Sequence, residues 1–146
     1  MENIRVIALD ICGTVLCADD AENIMPPRNE LKSFFDRCDS KYIKIVGSSD
    51  MLVESVKFDL EECFGNHPES GMSLDRFADF IMLNQLPRKD FSIIYSKFNV
   101  LPRELLVIGD NPIKDIGGAR KYGCPYILVP KYVGHGDNFD FSKIII

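Results

Sequence analysis

Three short apolar runs in this sequence end in residues able to do chemistry. Val6-Ile7-Ala8-Leu9 stops at Asp10; residues 42–46 run through Gly47 into Ser48 and Ser49; Leu105-Leu106-Val107-Ile108 runs through Gly109 into Asp110. Runs of this length, bounded by glycine and polar residues, are the pattern of buried parallel strands. In an open α/β sheet the carboxyl ends of the strands face one crevice. Asp10, a serine and Asp110 are therefore expected to meet, although they lie far apart in the chain. Two carboxylates in one crevice repel each other and stay ionised at small cost only with a cation between them. An all-oxygen Mg²⁺ site is the natural expectation, since Mg²⁺ binds through one or two carboxylates and completes its shell with water and phosphate.

The elements that must position these residues alternate between apolar runs and helical stripes. That pattern predicts an α/β fold, a parallel sheet flanked by helices. The first strand is expected over residues 4–9. A helix over 28–38 carries Leu31, Phe34, Phe35 and Cys38 on one face. A strand over 42–46 and a helix with Leu52, Val53, Val56 and Leu60 follow, then a loop over 65–71. Ser73 reads as the N-cap of a further helix with Leu74, Phe77, Ala78, Ile81 and Met82 on one side, stopped by Pro87. Another helix is expected over 90–99. Asn111 caps a helix with Pro112 at its first position, and Gly123 ends it. A last strand is expected over 126–129. The tail, 139–146, reads as an edge strand or a packed terminus.

Composition narrows the partners. The 146 residues suit one domain, and 46% are hydrophobic, enough for a core without staples. A net charge of −5 argues against a sequence-independent grip on nucleic acid, while leaving a nucleotide or nucleic-acid end open as substrate. The five cysteines include no C-x-x-C pair, so neither a disulfide framework nor a zinc site is suggested, and reduced thiols in a cytoplasmic protein are expected. Met1-Glu2-Asn3 is not a basic leader, and no apolar run approaches the length of a membrane span. Asp19 and Asp20 read as solvated loop near the mouth of the site. His67 and His135 read as surface loop residues. The pairs Phe34-Phe35 and Phe77/Phe80 read as core stripes rather than nucleobase platforms.

The motifs themselves are specific. Val6-Ile7-Ala8-Leu9-Asp10-Ile11-Cys12-Gly13-Thr14 resembles the opening hhhhDxDGT motif of the haloacid dehalogenase (HAD) superfamily. Gly109-Asp110-Asn111-Pro112-Ile113-Lys114-Asp115 resembles its closing GDxxxxD motif, and the strand ending near Ser48 its second, an apolar strand followed by Ser or Thr. Lys89 stands where capless members place their lysine, with Arg88 as its neighbour and competitor. The match runs in the family's order over most of the chain, which implies a three-layer Rossmann-like HAD fold over residues 1–146. Residues 15–41 and 50–88 leave little room for a cap domain.

The resemblance also implies roles. Asp10 would be the nucleophile, forming an aspartyl-phosphate, and with the backbone carbonyl of Cys12 it would bind Mg²⁺. Asp110 would be a further metal ligand. Asp115 would bind metal through water or orient Lys89. Ser48 or Ser49 would hold a phosphate oxygen, and Lys89 would neutralise developing charge. The substrate implied is a phosphorylated small molecule or an exposed macromolecular phosphate, and the enzyme a monomer or homodimer.

One departure stands out. The position two residues after the nucleophile, where phosphatases of the family carry an acid/base Asp, is Cys12. General acid–base help is worth roughly 10²–10⁴-fold, so poor leaving groups are expected to react slowly. A non-catalytic member that binds metal or a phosphorylated partner is the alternative. A receiver domain is disfavoured because the acidic pair Asp110 and Asp115 comes late in the chain. A dinucleotide-binding module is disfavoured because no G-x-G-x-x-G follows the first strand.

Overall fold

The computed structural model describes residues 3–146. Five parallel strands form one sheet: β1 Val6–Asp10, β2 Lys44–Ser49, β3 Asp79–Met82, β4 Leu105–Gly109 and β5 Tyr126–Leu128, in the spatial order β3-β2-β1-β4-β5. The order reverses at β1, so the crevice for a ligand opens at the carboxyl ends of β1 and its neighbours. Register places Asp10 beside Ser48, with Leu9 opposite both Gly47 and Ile108.

Alternation along the strands sorts their side chains into two layers. Ile7, Leu9, Ile45, Leu106 and Ile108 pack under α1 (Leu31–Ser40) and α2 (Val53–Asn66). Leu31, Phe34, Phe35 and Cys38 of α1 are all buried there, as the spacing predicts. Each such Leu or Phe contributes roughly 1.5–3 kcal/mol by leaving water. On the other face Val6, Ala8, Val46, Leu105 and Val107 pack against α3 (Ser92–Lys97) and α4 (Gly117–Lys121) through Ile94 and Ala119. Asp10 continues the Val6, Ala8 series, so it emerges on the α3/α4 side of the sheet.

Several boundaries move by two or three residues, and one expectation fails outright. The helix expected from Ser73 is a single 3₁₀ turn, Leu74–Arg76, followed by strand β3. Packing overrides the helical stripe here: the Phe80 ring lies against β2 at Gly47, where an added Cβ would come within 2.6 Å of it. Phe80 also stacks on Phe77, with centroids 4.7 Å apart. The tail forms no edge strand. Residues Phe141–Lys143 make a 3₁₀ turn that buries Phe141 and Ile144 against α1, while Arg37 donates to the carbonyls of Phe141 and Ile144. A packed terminus is what remains of that pair of expectations.

Beyond β4 the chain makes a π-helical turn, Pro112–Ile116, before α4. Asn111 caps it as the sequence suggests, its side chain accepting from the backbone N–H groups of Ile113 and Lys114. Among the described residues no helix is long and apolar enough to cross a membrane. Among the described residues no large cap stands over the sheet.

Candidate active site

The loop after β1 is built around one carbonyl. Ile11 O accepts from the N–H groups of Thr14, Val15 and Leu16, which folds the chain back beneath Asp10. Gly13 sits in this turn at φ +84°, and a Cβ there would come within 2.8 Å of Asp110 Oδ2. Both conformation and space therefore require glycine. Thr14 is fully buried, with Oγ1 3.1 Å from Asp10 Oδ2 and 3.0 Å from Asp110 Oδ1. One hydroxyl has one proton, so it serves one of the two carboxylates at a time.

Asp10, Asp110 and Asp115 present oxygens that all lie within 4.8 Å of one another. The π-helical turn brings Asp115 in, and the Asn111 N–H donates to its Oδ2 at 3.1 Å. Lys89 reaches the cluster from the chain ahead of α3, not from within a helix. Its own backbone N–H donates to Lys114 O, which ties it to the π-helical turn. The Lys89 ammonium donates to Asp10 Oδ1 at 3.0 Å and stands 2.6 Å from Asp115 Oδ1. This second contact is an ion pair by distance but lacks the angle of a hydrogen bond. Lys89 is only 3% exposed, whereas Arg88 is exposed and lies over Gly117, so the lysine is the one at the site.

The two serines separate equally clearly. Ser48 sits beside Asp10 on the same face of the sheet, 1% exposed, and its Oγ finds no hydrogen-bond partner among the described residues. Ser49 faces the other layer and its Oγ accepts from the Met51 N–H. A buried hydroxyl without a partner is uncommon and calls for a ligand. Cys12 is exposed on the wall of the cavity that holds the carboxylates.

Electrostatics follow from this geometry. Burial raises Asp10 well above the usual carboxylate range, Asp115 and Asp110 add to the rise, and Lys89 opposes it. Burial likewise raises Asp115 against the pull of Lys89 and the Asn111 N–H. For Lys89, burial works against the charge, but Asp10 and Asp115 outweigh it and hold the ammonium above its ordinary range. The Cys12 thiol is pushed up by burial first, then by Asp10 and Asp110, so it is neutral at pH 7. Three carboxylates against one ammonium leave the cluster short of positive charge. The all-oxygen donor set and the unpaired Ser48 hydroxyl fit Mg²⁺ together with a phosphate.

The cavity over the cluster measures about 240 Å³. Lys114 and Asp50 form an ion pair of 2.7 Å at its rim, where Lys131 also stands. These rim residues, and the role of Thr14, were not expected from the sequence. Only Thr14 carries a signal, its place after Gly13. A strap from the C-terminal quarter closes the loop from behind: Tyr132 N–H donates to Gly13 O, and Ala18 N–H to Tyr132 O. Arg28, buried, joins Asp137 by a two-pronged ion pair and reaches Thr14 O at 3.5 Å.

Known proteins agree with this architecture. The HAD-hydrolase-like family matches residues 83–138, a segment that holds Lys89, Asp110 and Asp115. No curated protein sequence matches the chain. Among solved structures, a predicted phosphoglycolate phosphatase from Haemophilus somnus is similar at TM-score 0.66 and 12% identity, covering 98% of this chain and 92% of that one. CbbY from Rhodobacter sphaeroides, in complex with phosphate, gives TM-score 0.66 at 11% identity, with 96% and 92% covered. The N-terminal part of BF1531 from Bacteroides fragilis, which contains a phosphatase domain complexed with Mg, gives 0.65 at 20% identity, covering 91% of this chain and 38% of that one. The family likeness thus lies in the C-terminal part of the described chain, and the likeness to these solved structures is one of α/β fold.

Proposed function

We propose that the protein is a Mg²⁺-dependent phosphohydrolase that works through an aspartyl-phosphate on Asp10. The observation that carries this reading is the convergence of three carboxylates, one buried lysine and one unpaired serine hydroxyl at the carboxyl ends of β1, β2 and β4. Asp10, Asp110 and the backbone carbonyl of Cys12 would hold Mg²⁺, with Asp115 acting directly or through water. Bound there, Mg²⁺ draws charge from the phosphoryl oxygens. Asp10 attacks phosphorus as the ester P–O bond breaks, and the leaving oxygen departs with the electron pair. Ser48 donates to a phosphoryl oxygen, and Lys89, oriented by Asp115, offsets the charge that builds there. Water then attacks the same phosphorus, gives up a proton to solvent, and releases Asp10 and inorganic phosphate.

The fit of Mg²⁺ and the nucleophilic role are tested together. Hydrolysis of acetyl phosphate and p-nitrophenyl phosphate, both with good leaving groups, is expected to need Mg²⁺ and to fall by roughly a thousandfold or more in Asp10→Asn. The thiol at Cys12 favours a second reading, a domain that binds metal and phosphate without turnover. Mg²⁺ binding with no hydrolysis of either compound decides for it.

A further inference from the structure

Beside the carboxylate cavity lies a second cavity of about 360 Å³, within the range of small-molecule pockets. Cys12, Asp19 and Ser49 belong to the walls of both, so a group attached to a phosphate at Asp10 passes Cys12 and enters the second. Ile11, Leu16, Met51 and Val56 give that cavity an apolar surface.

Charge is segregated between the two. Lys89, Lys114 and Lys131 line the first. Among the described residues that line the second there is no lysine or arginine, while Asp19, Asp20 and Asp59 are present. Two of these carboxylates are held in place: Asp20 accepts from the Ile24 and Met25 N–H groups, and Asp59 from the Asn23 amide. A second phosphate or a carboxylate on the substrate would lose its water there and meet like charge and apolar walls, with no cation among the lining residues to offset it. A flat apolar ring gains from leaving water at the same place.

We infer that the substrate is an aryl phosphate monoester with no second anionic group, its phosphate over Asp10 and its ring in the Ile11/Leu16/Met51/Val56 cavity. This rests on the phosphoryl-transfer reading above. An aryl oxide also departs without a proton, so such a substrate asks little of Cys12.

The test uses the whole chain with Mg²⁺ and phosphonates that cannot be hydrolysed. By calorimetry, 2-naphthylmethylphosphonate is expected to bind at least about tenfold more tightly than methylphosphonate, the effect of removing roughly 55 Å² of apolar surface from water. Phosphonoacetate, which adds a carboxylate instead, is expected to bind no more tightly than methylphosphonate. Met51 is 38% exposed, so Met51→Glu tolerates the change in folding terms and is expected to erase the naphthyl advantage. Equal affinities for all three ligands, or an advantage that survives Met51→Glu, overturns the inference. Acetyl phosphate turnover, measured in parallel, judges the underlying reading separately. Turnover without ring preference sinks the cavity alone; ring preference without turnover keeps the cavity and sinks the catalysis; neither sinks both.

Discussion

Among the described residues two cations, Arg28 and Lys89, are buried, and they are buried differently. Arg28 meets one carboxylate, Asp137, at 3.0 and 2.9 Å, with its guanidinium 4.6 Å from the Phe139 ring centroid and 5.4 Å from that of Tyr132. Its charge is matched and its planar fork is used. Lys89 faces Asp10 and Asp115 at 3.0 and 2.6 Å, with Asp110 close behind, and of these two ion pairs only that to Asp10 is shaped as a hydrogen bond; a longer one, 3.5 Å, goes to Ser48 O. The first arrangement is complete within the chain. The second is short of positive charge, three carboxylates against one ammonium. A buried ion pair is therefore not one kind of object: one is matched within the chain and the other leaves negative charge unmatched.

The contrast can be broken most forcefully at Arg28. Arg28→Met leaves Asp137 without its partner and is expected to destabilise folding by about 3–5 kcal/mol, read as the urea midpoint at constant slope. Adding Asp137→Leu should recover much of that loss. At Lys89 the expected loss lies in rate. Lys89→Met should lower kcat/KM for p-nitrophenyl phosphate by roughly 10²–10³-fold. In Mg²⁺ its urea midpoint should move less than that of Arg28→Met, because the carboxylates then have another cation. An equal loss of stability from both would show that Lys89 is structural too.

Cys12→Asp sharpens the same contrast by adding a carboxylate that can deliver a proton. It should raise hydrolysis of alkyl phosphates by about a hundredfold, the low end of general-acid effects, and leave acetyl phosphate far less changed. An unchanged alkyl rate, with fold and metal binding intact, would remove the account given for that position. The smallest expected effect is on pH dependence. Without Mg²⁺, Asp10 and Asp115 are held above the ordinary carboxylate range, burial being the main cause. The folded protein therefore binds more protons than the unfolded one. That stabilisation is whole below the unfolded value, about 4, and is lost as pH rises through the raised values. The melting temperature in EDTA should fall by a few degrees between about pH 5 and 8, at roughly 3 °C per kcal/mol. Mg²⁺ should flatten the slope. Identical slopes with and without Mg²⁺ would mean that the carboxylates are not the groups that bind it.

Much of this was legible because it is local. A run such as Leu105–Gly109 ending at Asp110 declares a strand and the carboxylate at its end together, and Asn111-Pro112 declares the turn that follows. The helix face of α1 was equally plain. The region around β3 was not, since Leu74, Phe77, Ala78, Ile81 and Met82 satisfy a helical period as well as a four-residue edge strand does. The choice lay in a long-range contact, Phe80 against Gly47. Ser48 and Ser49 could not be told apart without the register against β1, and Lys89 and Arg88 could not without the contact to Lys114 O. Arg28 gave no sign at all. A cation near the start of a helix looks solvated until its partner, 109 residues away, is placed.

That separation has a consequence for how the protein is made. Asp10 and its loop leave the ribosome well before Tyr132, whose N–H and C=O bracket that loop, and Arg28 leaves 109 residues before its counter-ion Asp137. Contacts so distant in sequence form late, because the chain between them must be ordered first. A nascent chain can hold α1 and most of the sheet while the loop after Asp10 is still unfastened, so the site around that loop is set only after the segment carrying Tyr132 and Asp137 has been made.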